Sequence, residues 1–131
     1  MLYADNSRQI FANAEDPYKE GLYMFLIAAA EKAKGNYNIA DSLFKAFLPY
    51  LDEKKDTTFL ARLYFPIGIV TEALGDLDGA LTYQYESIKQ YHLNKDTSGT
   101  NAGLNNIESI YRILEQYDLS EKKLPRSAFP E

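Results

Sequence analysis

The sequence predicts an all-α protein in which pairs of helices follow one another along the chain. The chain aligns with itself without a gap when it is shifted by forty residues. Within each copy, apolar residues recur at spacings of three and four, the period of an amphipathic helix. Glycine or proline then marks the end of most predicted helices. With 131 residues, of which 46% are hydrophobic, the whole range 1–131 is expected to form a single domain.

The forty-residue repeat brings apolar residues and helix-start residues into one register. Asp16, Asp56 and Asp96 coincide. The aligned apolar triplets are Met24, Tyr64 and Leu104; Ile27, Ile67 and Ile107; and Ala30, Val70 and Ile110. The repeat predicts three units, which are residues 16–54, 56–94 and 96–124, followed by a tail over residues 125–131.

The first unit has clear start and stop signals. Residues 1–14 before it are expected to form a partial or capping helix, the second helix of a preceding incomplete unit. Asp16 is a good N-cap, and Pro17 suits the first helical turn, so the first helix is predicted to begin here. Gly35 ends this helix, and Pro49 ends the second, because proline cannot continue the hydrogen-bond ladder.

The second unit repeats these signals, with Gly75 ending its first helix and Asp76 capping its second. Pro66 lies inside the first of these helices and is expected to kink it. In the third unit, one helix is predicted from Asp96 through Leu114 and another from Tyr117 to Leu124. Small residues such as Ala40 and Ala80 in the first two units are expected where paired helices approach closely.

The stretches GNYNIA at residues 35–40 and GDLDGAL at residues 75–81 resemble the tetratricopeptide repeat. The resemblance covers roughly residues 16–124. The period of forty exceeds the family's usual length of about thirty-four, so the chain is similar to the long-period repeats of bacterial signalling and regulatory proteins. Glu108 in the third copy replaces the expected small residue, which fits a terminal capping unit.

The resemblance implies a right-handed α-α superhelix of about three helix-turn-helix units, in which the first helices line a concave groove. In unit one the outward positions include Leu22 and Phe25. The candidate partner-binding residues on these helices are Lys32, Arg62, Phe65, Ile69, Glu72, Asn105, Asn106, Ser109 and Arg112. The alternative is that these polar residues form an ordinary solvated surface and that the aromatic residues belong to the core.

The groove predicted in this way has its own chemical character. Lys32, Arg62 and Arg112 outnumber Glu72, so the groove is basic within an acidic protein. A basic, partly apolar groove suits an acidic or carboxylate-ended peptide. Related repeats use asparagine to hold a peptide backbone, and Asn105 and the adjacent asparagine have amides suited to that role.

Composition argues against several other partners. The net charge of −5 and the isoelectric point near 4.9 disfavour nucleic acid and anionic membrane surfaces. The longest apolar run, over residues 22–30, is nine residues long, whereas a membrane span needs about twenty. We therefore expect a cytoplasmic protein whose partner is a protein or peptide.

An enzymatic role is also disfavoured. The sequence has no cysteine, no phosphate-binding glycine loop, and a single histidine, His92, with no suitable nucleophile or metal-ligand partners. Residues 76–79 faintly resemble a calcium loop but lack its remaining ligands. We therefore predict no catalytic residue, no metal and no cofactor.

Three functional hypotheses remain open. The first is a non-enzymatic scaffold that binds a protein or peptide through the concave groove. The second is a ligand- or peptide-sensing, dimerising regulatory module of a larger bacterial signalling protein. The third is a homodimer held by exposed aromatic residues, since Tyr83, Tyr85 and Tyr91 cannot all face one side of a helix.

Overall fold

The computed structural model describes residues 16–122, and every element of regular structure within that range is helical. The helices are α1 (Pro17–Ala33), α2 (Tyr37–Ala46), a 3₁₀ turn (Leu48–Tyr50), α3 (Thr57–Ala73), α4 (Leu77–Leu93) and α5 (Thr97–Lys122). The predicted all-α class is therefore confirmed for this part of the chain. The predicted N-terminal helix over residues 1–14 and the tail over residues 125–131 lie outside the described residues.

Aspartate side chains cap the helices as predicted at two positions. The carboxylate of Asp16 accepts hydrogen bonds from the backbone N–H of Tyr18 at 3.2 Å and of Lys19 at 3.3 Å. The carboxylate of Asp76 accepts one from the N–H of Gly79 at 2.9 Å. Each cap satisfies backbone donors that have no partner within the helix, which stabilises a helix by about 1 kcal/mol.

Residues with positive φ end three of the helices. Gly35 follows α1 with φ of 84° and Gly75 follows α3 with φ of 91°, as the sequence predicts. Lys95 follows α4 in the same left-handed region, with φ of 57°. The backbone N–H of Asp76 donates to the carbonyl of Thr71 at 3.1 Å, and that of Asp96 donates to the carbonyl of Tyr91 at 2.9 Å. The turns after α3 and α4 therefore share one hydrogen-bond pattern.

The helices pack in series along the chain. Each of the first four helices packs on the one that follows it, and α1 also contacts α3. Ala28, Ala40 and Ala80 are completely buried where these helices approach one another. At Gly68 an added Cβ would lie 2.5 Å from Nε2 and 2.9 Å from Cδ of Gln84, so the side chain of Gln84 already occupies the space between α3 and α4 there. The predicted role of small residues at the helix crossings is confirmed.

Aromatic residues fill the core between the first two helix pairs. Phe44 on α2 and Phe47, which directly follows α2, are almost completely buried. Phe44 contacts the ring of Phe25 at a centroid distance of 5.4 Å, and Phe47 contacts Phe59 at 5.1 Å, both edge to face. Phe59 belongs to α3, so these contacts join the first unit to the second.

One prediction about the helices is wrong. A break was expected at residues 115–116, but α5 continues through this point from Thr97 to Lys122. The position that corresponds to Gly35 and Gly75 is Glu115, and glutamate is a good helix former that disfavours positive φ. The third unit therefore has a single helix within the described residues, and no second helix covers its outer face there.

Pro49 and Pro66 differ in their effect on the helices around them. Pro49 lies in the 3₁₀ turn that follows α2, close to the predicted helix end. Pro66 is buried inside α3, which runs without interruption from Thr57 to Ala73. The expected local kink at Pro66 stays a prediction.

Candidate functional site

The forty-residue period arranges the predicted groove residues in four levels along the first helices. The levels are residues 22, 62 and 102; 25, 65 and 105; 29, 69 and 109; and 32, 72 and 112. Ten residues separate the first level from the last, which at 1.5 Å per residue is about 15 Å along a helix. The predicted residues therefore describe an extended surface rather than one cluster.

Three residues of the first two levels, Leu22, Phe25 and Arg62, line a pocket between the N-terminal halves of α1 and α3. The pocket has a volume of about 280 Å³ and is lined by Tyr18, Leu22, Phe25, Lys55, Asp56, Thr58, Phe59 and Arg62. The structure thus brings together Arg62, from the predicted site, with the outward positions Leu22 and Phe25. We name this cavity the α1–α3 pocket.

The floor of the α1–α3 pocket is aromatic and continuous with the core. Phe25 is half-buried, and its ring contacts Phe44 at 5.4 Å and Phe59 at 6.4 Å, edge to face in both cases. Leu22 stands at the mouth with 52% of its surface exposed. Because its aromatic floor is fixed by packing on α2, the pocket presents a rigid apolar surface to solvent.

The one carboxylate that lines the pocket is held by its own surroundings. Oδ2 of Asp56 accepts hydrogen bonds from the hydroxyl of Tyr18 at 3.0 Å and from the backbone N–H of Asp52 at 2.6 Å. The bond to Asp56 raises the pKa of Tyr18 above its ordinary value. These contacts tie the start of α1 to the start of α3 and turn the Asp56 carboxylate away from the first turn of its own helix, which it does not cap.

The loop before α3 is shaped by a second aspartate. The carboxylate of Asp52 accepts hydrogen bonds from the backbone N–H of Lys54 at 2.7 Å and of Lys55 at 3.0 Å. These bonds favour the ionised form and lower the pKa of Asp52. The loop conformation fixed in this way places the Lys55 side chain at the edge of the α1–α3 pocket.

The two cations of the pocket are not held in salt bridges within the described residues, although the charge of Lys55 contributes to lowering the pKa of Asp52. In the part of the chain that the structure describes, neither Lys55 nor Arg62 forms a salt bridge. Arg62 is exposed, one turn along α3 from Phe59. An apolar floor is therefore bordered by two available positive charges.

The other predicted residues of α1 and α3 lie farther along the helices and are partly engaged in packing. Lys32, Ile69 and Glu72 are all half-buried. Phe65 is also half-buried, and its ring contacts Tyr91 of α4 edge to face at 6.5 Å. The alternative that the aromatic residues belong to the core thus applies in part to Phe65.

On α5, the predicted residues differ in exposure. Asn105 and Ser109 are exposed. Asn106 is half-buried, and its Nδ2 atom is buried without a hydrogen-bond partner. Arg112 is exposed and forms a salt bridge with Glu108 at 2.8 Å, so its charge is largely offset within the same helix. None of these residues lines the α1–α3 pocket.

The three tyrosines that were suggested as exposed interface residues differ in burial. Tyr83 and Tyr91 are half-buried, and Tyr83 packs against Tyr64 at 6.2 Å. Tyr85 is 50% exposed, and its hydroxyl lies 3.1 Å from that of Tyr111 on α5, which is equally exposed. An exposed aromatic pair therefore bridges α4 and α5, away from the residues that line the pocket.

Comparison with protein-family models, with curated proteins and with solved structures finds no match to the chain. Among residues 16–122, no helix is both long and apolar enough to cross a membrane. The same residues contain no group of three or more histidine, cysteine, aspartate or glutamate side chains placed to hold a metal ion. The fold and the site thus define an all-α protein with an apolar pocket bordered by cations.

Proposed function

We propose that the chain is a non-enzymatic protein-binding module of the tetratricopeptide type, and that a partner segment binds on the face formed by α1 and α3. The observation that carries this proposal is the α1–α3 pocket, where the outward residues Leu22, Phe25 and Arg62 meet. These residues come from two different helices, as a groove across the repeats requires.

The packing of the helices supports the tetratricopeptide part of the proposal. Two helix pairs reverse at glycines with positive φ, each helix packs on the next, and α1 contacts α3. In a right-handed superhelix of such pairs, α1, α3 and α5 are the first helices, and α2 and α4 are the second. The unbroken α5 then takes the place of the first helix of the third unit, which has no separate second helix within the described residues.

The size of the pocket supports a partner side chain as the occupant. Sites for small molecules in proteins have volumes of about 300–1,000 Å³ and enclose most of the ligand. The α1–α3 pocket, at about 280 Å³, lies just below this range. It suits one large side chain of a peptide that otherwise lies along the surface of the helices.

A capture experiment from source-cell lysate tests the proposal. The bait is the wild-type chain beside the double variant Leu22→Gln, Arg62→Ala, and bound proteins are identified by mass spectrometry. The matched control is Leu93→Gln, Lys89→Ala, which removes a similarly exposed leucine and one cation from α4. We expect a partner that wild type and control retain and the pocket variant loses. Equal retention by all three would place the binding surface elsewhere.

The dimerising regulatory module is the second candidate, and the outer face of α5 favours it. Leu104 and Tyr111, two turns apart on that face, are each 50% exposed. Sedimentation equilibrium of wild type and Leu104→Gln tests this function. A dimer that the substitution weakens would support it, whereas a monomer at all concentrations would leave the groove as the functional surface.

A further inference from the structure

From the charges at the α1–α3 pocket, we infer that its occupant is an acidic linear segment of a partner protein that inserts one large apolar side chain and places a neighbouring carboxylate between Lys55 and Arg62. This inference rests on the proposed function and adds the chemistry of the partner. It is carried by two features of one cavity, which are the aromatic floor and the unpaired cations at its border.

The local charge is opposite to that of the whole chain. The chain carries a net charge of −5, yet the pocket is lined by two cations and one carboxylate. That carboxylate, Asp56, already accepts hydrogen bonds from Tyr18 and Asp52. Lys55 and Arg62 have no such partner within the described residues, so they are the groups available to an incoming ligand.

The other polar groups of the pocket do not favour a neutral ligand. The hydroxyl of Thr58 donates to Oδ1 of Asn94 at 3.3 Å, and the hydroxyl of Tyr18 donates to Asp56. The strongest donors left are therefore the lysine ammonium and the arginine guanidinium. An arginine fork binds a carboxylate with two parallel hydrogen bonds, and lysine adds a point charge.

The start of α3 adds to the preference for an anion. Asp16 and Asp76 cap their helices with the side chain, and Asp96 accepts a hydrogen bond from the N–H of Gly99 at 2.9 Å. The equivalent Asp56 makes no such bond. The positive end of the α3 dipole thus lies beside Lys55 without a side-chain cap, and it reinforces the two cations.

The aromatic floor of the α1–α3 pocket indicates which kind of apolar side chain the ligand inserts. Phe25 and Phe59 present ring surfaces that are fixed by packing on α2, and Leu22 stands at the mouth. A phenylalanine or leucine side chain would contact all three residues. Acidic residues of the ligand next to this phenylalanine or leucine would then lie over Arg62, which is one turn from Phe59 along α3.

Fluorescence anisotropy with defined peptides tests the inference. The probe is a fluorescein-labelled, C-terminally amidated peptide Gly-Ser-Glu-Phe-Ser-Gly. One companion peptide has glutamine in place of glutamate, and the other has alanine in place of phenylalanine. Because an exposed charge pair contributes up to about fivefold in affinity, we expect the glutamate peptide to bind about fivefold more tightly than the glutamine peptide. The alanine peptide should not bind measurably.

Protein variants test whether the preference for the glutamate peptide arises at Lys55 and Arg62. Arg62→Gln and Lys55→Gln should each reduce the preference for glutamate over glutamine while leaving the phenylalanine requirement intact. Lys89→Gln, an exposed lysine of α4, is the matched control and should leave the preference unchanged. Circular dichroism checks that all variants fold equally.

Equal affinity for the glutamate and glutamine peptides, or a preference that survives both pocket substitutions, would overturn the inference. Absence of binding to any peptide would also overturn it. The lysate capture separates this failure from failure of the proposed function. For this purpose the capture is repeated with the single variants Leu22→Gln, Lys55→Gln and Arg62→Gln. A partner lost from Leu22→Gln but retained by Lys55→Gln and Arg62→Gln would preserve the proposed function alone, whereas a partner retained by all three variants would remove both.

Discussion

Within residues 16–122, three residues with positive φ end helices, but the sequence signals only two of these turns. Gly35 and Gly75 signal their turns because glycine adopts the left-handed region at no steric cost. Lys95 adopts the same region with φ of 57°, and a lysine gives no sequence signal of such a turn. A non-glycine residue is destabilised there by about 1–2 kcal/mol, so the turn after α4 is held by its surroundings.

Substitutions at two of these turns should change stability in opposite directions. At Gly75 an added Cβ would meet no atom within 4 Å, so Gly75→Ala introduces backbone strain alone and should lower the free energy of unfolding by about 1 kcal/mol. Lys95→Gly removes strain of that size but adds the entropy cost of glycine, so it should raise the free energy of unfolding by about 0.5 kcal/mol. Urea denaturation at pH 7 measures both.

Lys34→Gly is the matched control for the lysine substitution. Lys34 caps α1 with φ of −81°, so it has no left-handed strain to relieve. Glycine there should only destabilise the protein. Destabilisation by Lys95→Gly of the same size would contradict the assignment of strain to Lys95.

The loop before α3 should make stability depend on pH in the acid range. Two backbone N–H groups, those of Lys54 and Lys55, lower the pKa of Asp52 below its ordinary value of 3.8. A carboxyl group whose pKa is lower in the folded than in the unfolded state stabilises the fold above the unfolded pKa, and this contribution is lost as the pH falls through the folded pKa. Asp52→Ala should therefore destabilise the protein at pH 7 and have a smaller effect near pH 3.

Thermal unfolding of wild type and Asp52→Ala at several pH values checks this dependence. Glu53→Ala, an exposed carboxylate in the same loop, is the control and should change stability little at either pH. A difference in unfolding temperature between wild type and Asp52→Ala that stays constant from pH 3 to pH 7 would show that the charge of the Asp52 carboxylate does not contribute to stability.

The helices were largely predictable from the sequence because their signals are local. Capping aspartates, terminal glycines and a helical apolar period mark α1 to α4 within a few residues of their ends. The third unit was harder, since Glu115 carries no stop signal and the forty-residue period alone suggested a break. A repeat register predicts where a turn is expected, but local helix propensity decides whether the turn forms.

The candidate site was predicted only in part because its assembly is not local. Leu22, Phe25 and Arg62 followed from the repeat register. Lys55 and Phe59 did not. Lys55 lies at the end of a loop that is fixed by hydrogen bonds such as that between Tyr18 and Asp56, 38 residues apart, and Phe59 reaches the pocket through its ring contact with Phe25 of another helix. A repeat pattern compares equivalent positions and carries no information about such contacts between different positions.

The close approach of α3 and α4 at Gly68 permits a test of helix packing. Alanine is about 1 kcal/mol better than glycine in a helix interior. Here, however, its Cβ would lie 2.5 Å from Nε2 and 2.9 Å from Cδ of Gln84, which is 1% exposed and cannot move into solvent. Because overpacking costs about 1–3 kcal/mol and the helix gain offsets about 1 kcal/mol of it, Gly68→Ala should lower the free energy of unfolding by up to about 2 kcal/mol.

Shortening the opposing side chain supplies the control for this packing. The double variant Gly68→Ala, Gln84→Ser removes the clash and should be more stable than the sum of the two single changes predicts. Chemical denaturation of wild type, the two single variants and the double variant gives four free energies of unfolding, from which the coupling between positions 68 and 84 is calculated. Additive effects would mean that Gln84 does not limit the approach of the helices.

Most helix contacts are between neighbours along the chain, and local stability should reflect this. α3 packs on α1, α2 and α4, whereas the main neighbour of α5 among the described helices is α4. In proteins of this kind, local opening is governed by contacts with adjacent elements. We expect backbone amides of α3, around Leu63 and Ile67, to exchange most slowly.

Hydrogen exchange followed by mass spectrometry tests this gradient along the chain. α5 has 26 residues and α4 has 17, so at 1.5 Å per residue α5 is longer by about 13 Å. Residues 115–122 therefore reach beyond the end of α4 and should exchange fastest within α5, followed by the rest of that helix. Equal protection of α3 and the whole of α5 would mean that the helices unfold as one cooperative unit. A graded pattern would mean that the helices open separately, so a ligand added at the α1–α3 pocket should then slow exchange in α1 and α3 more than in residues 115–122.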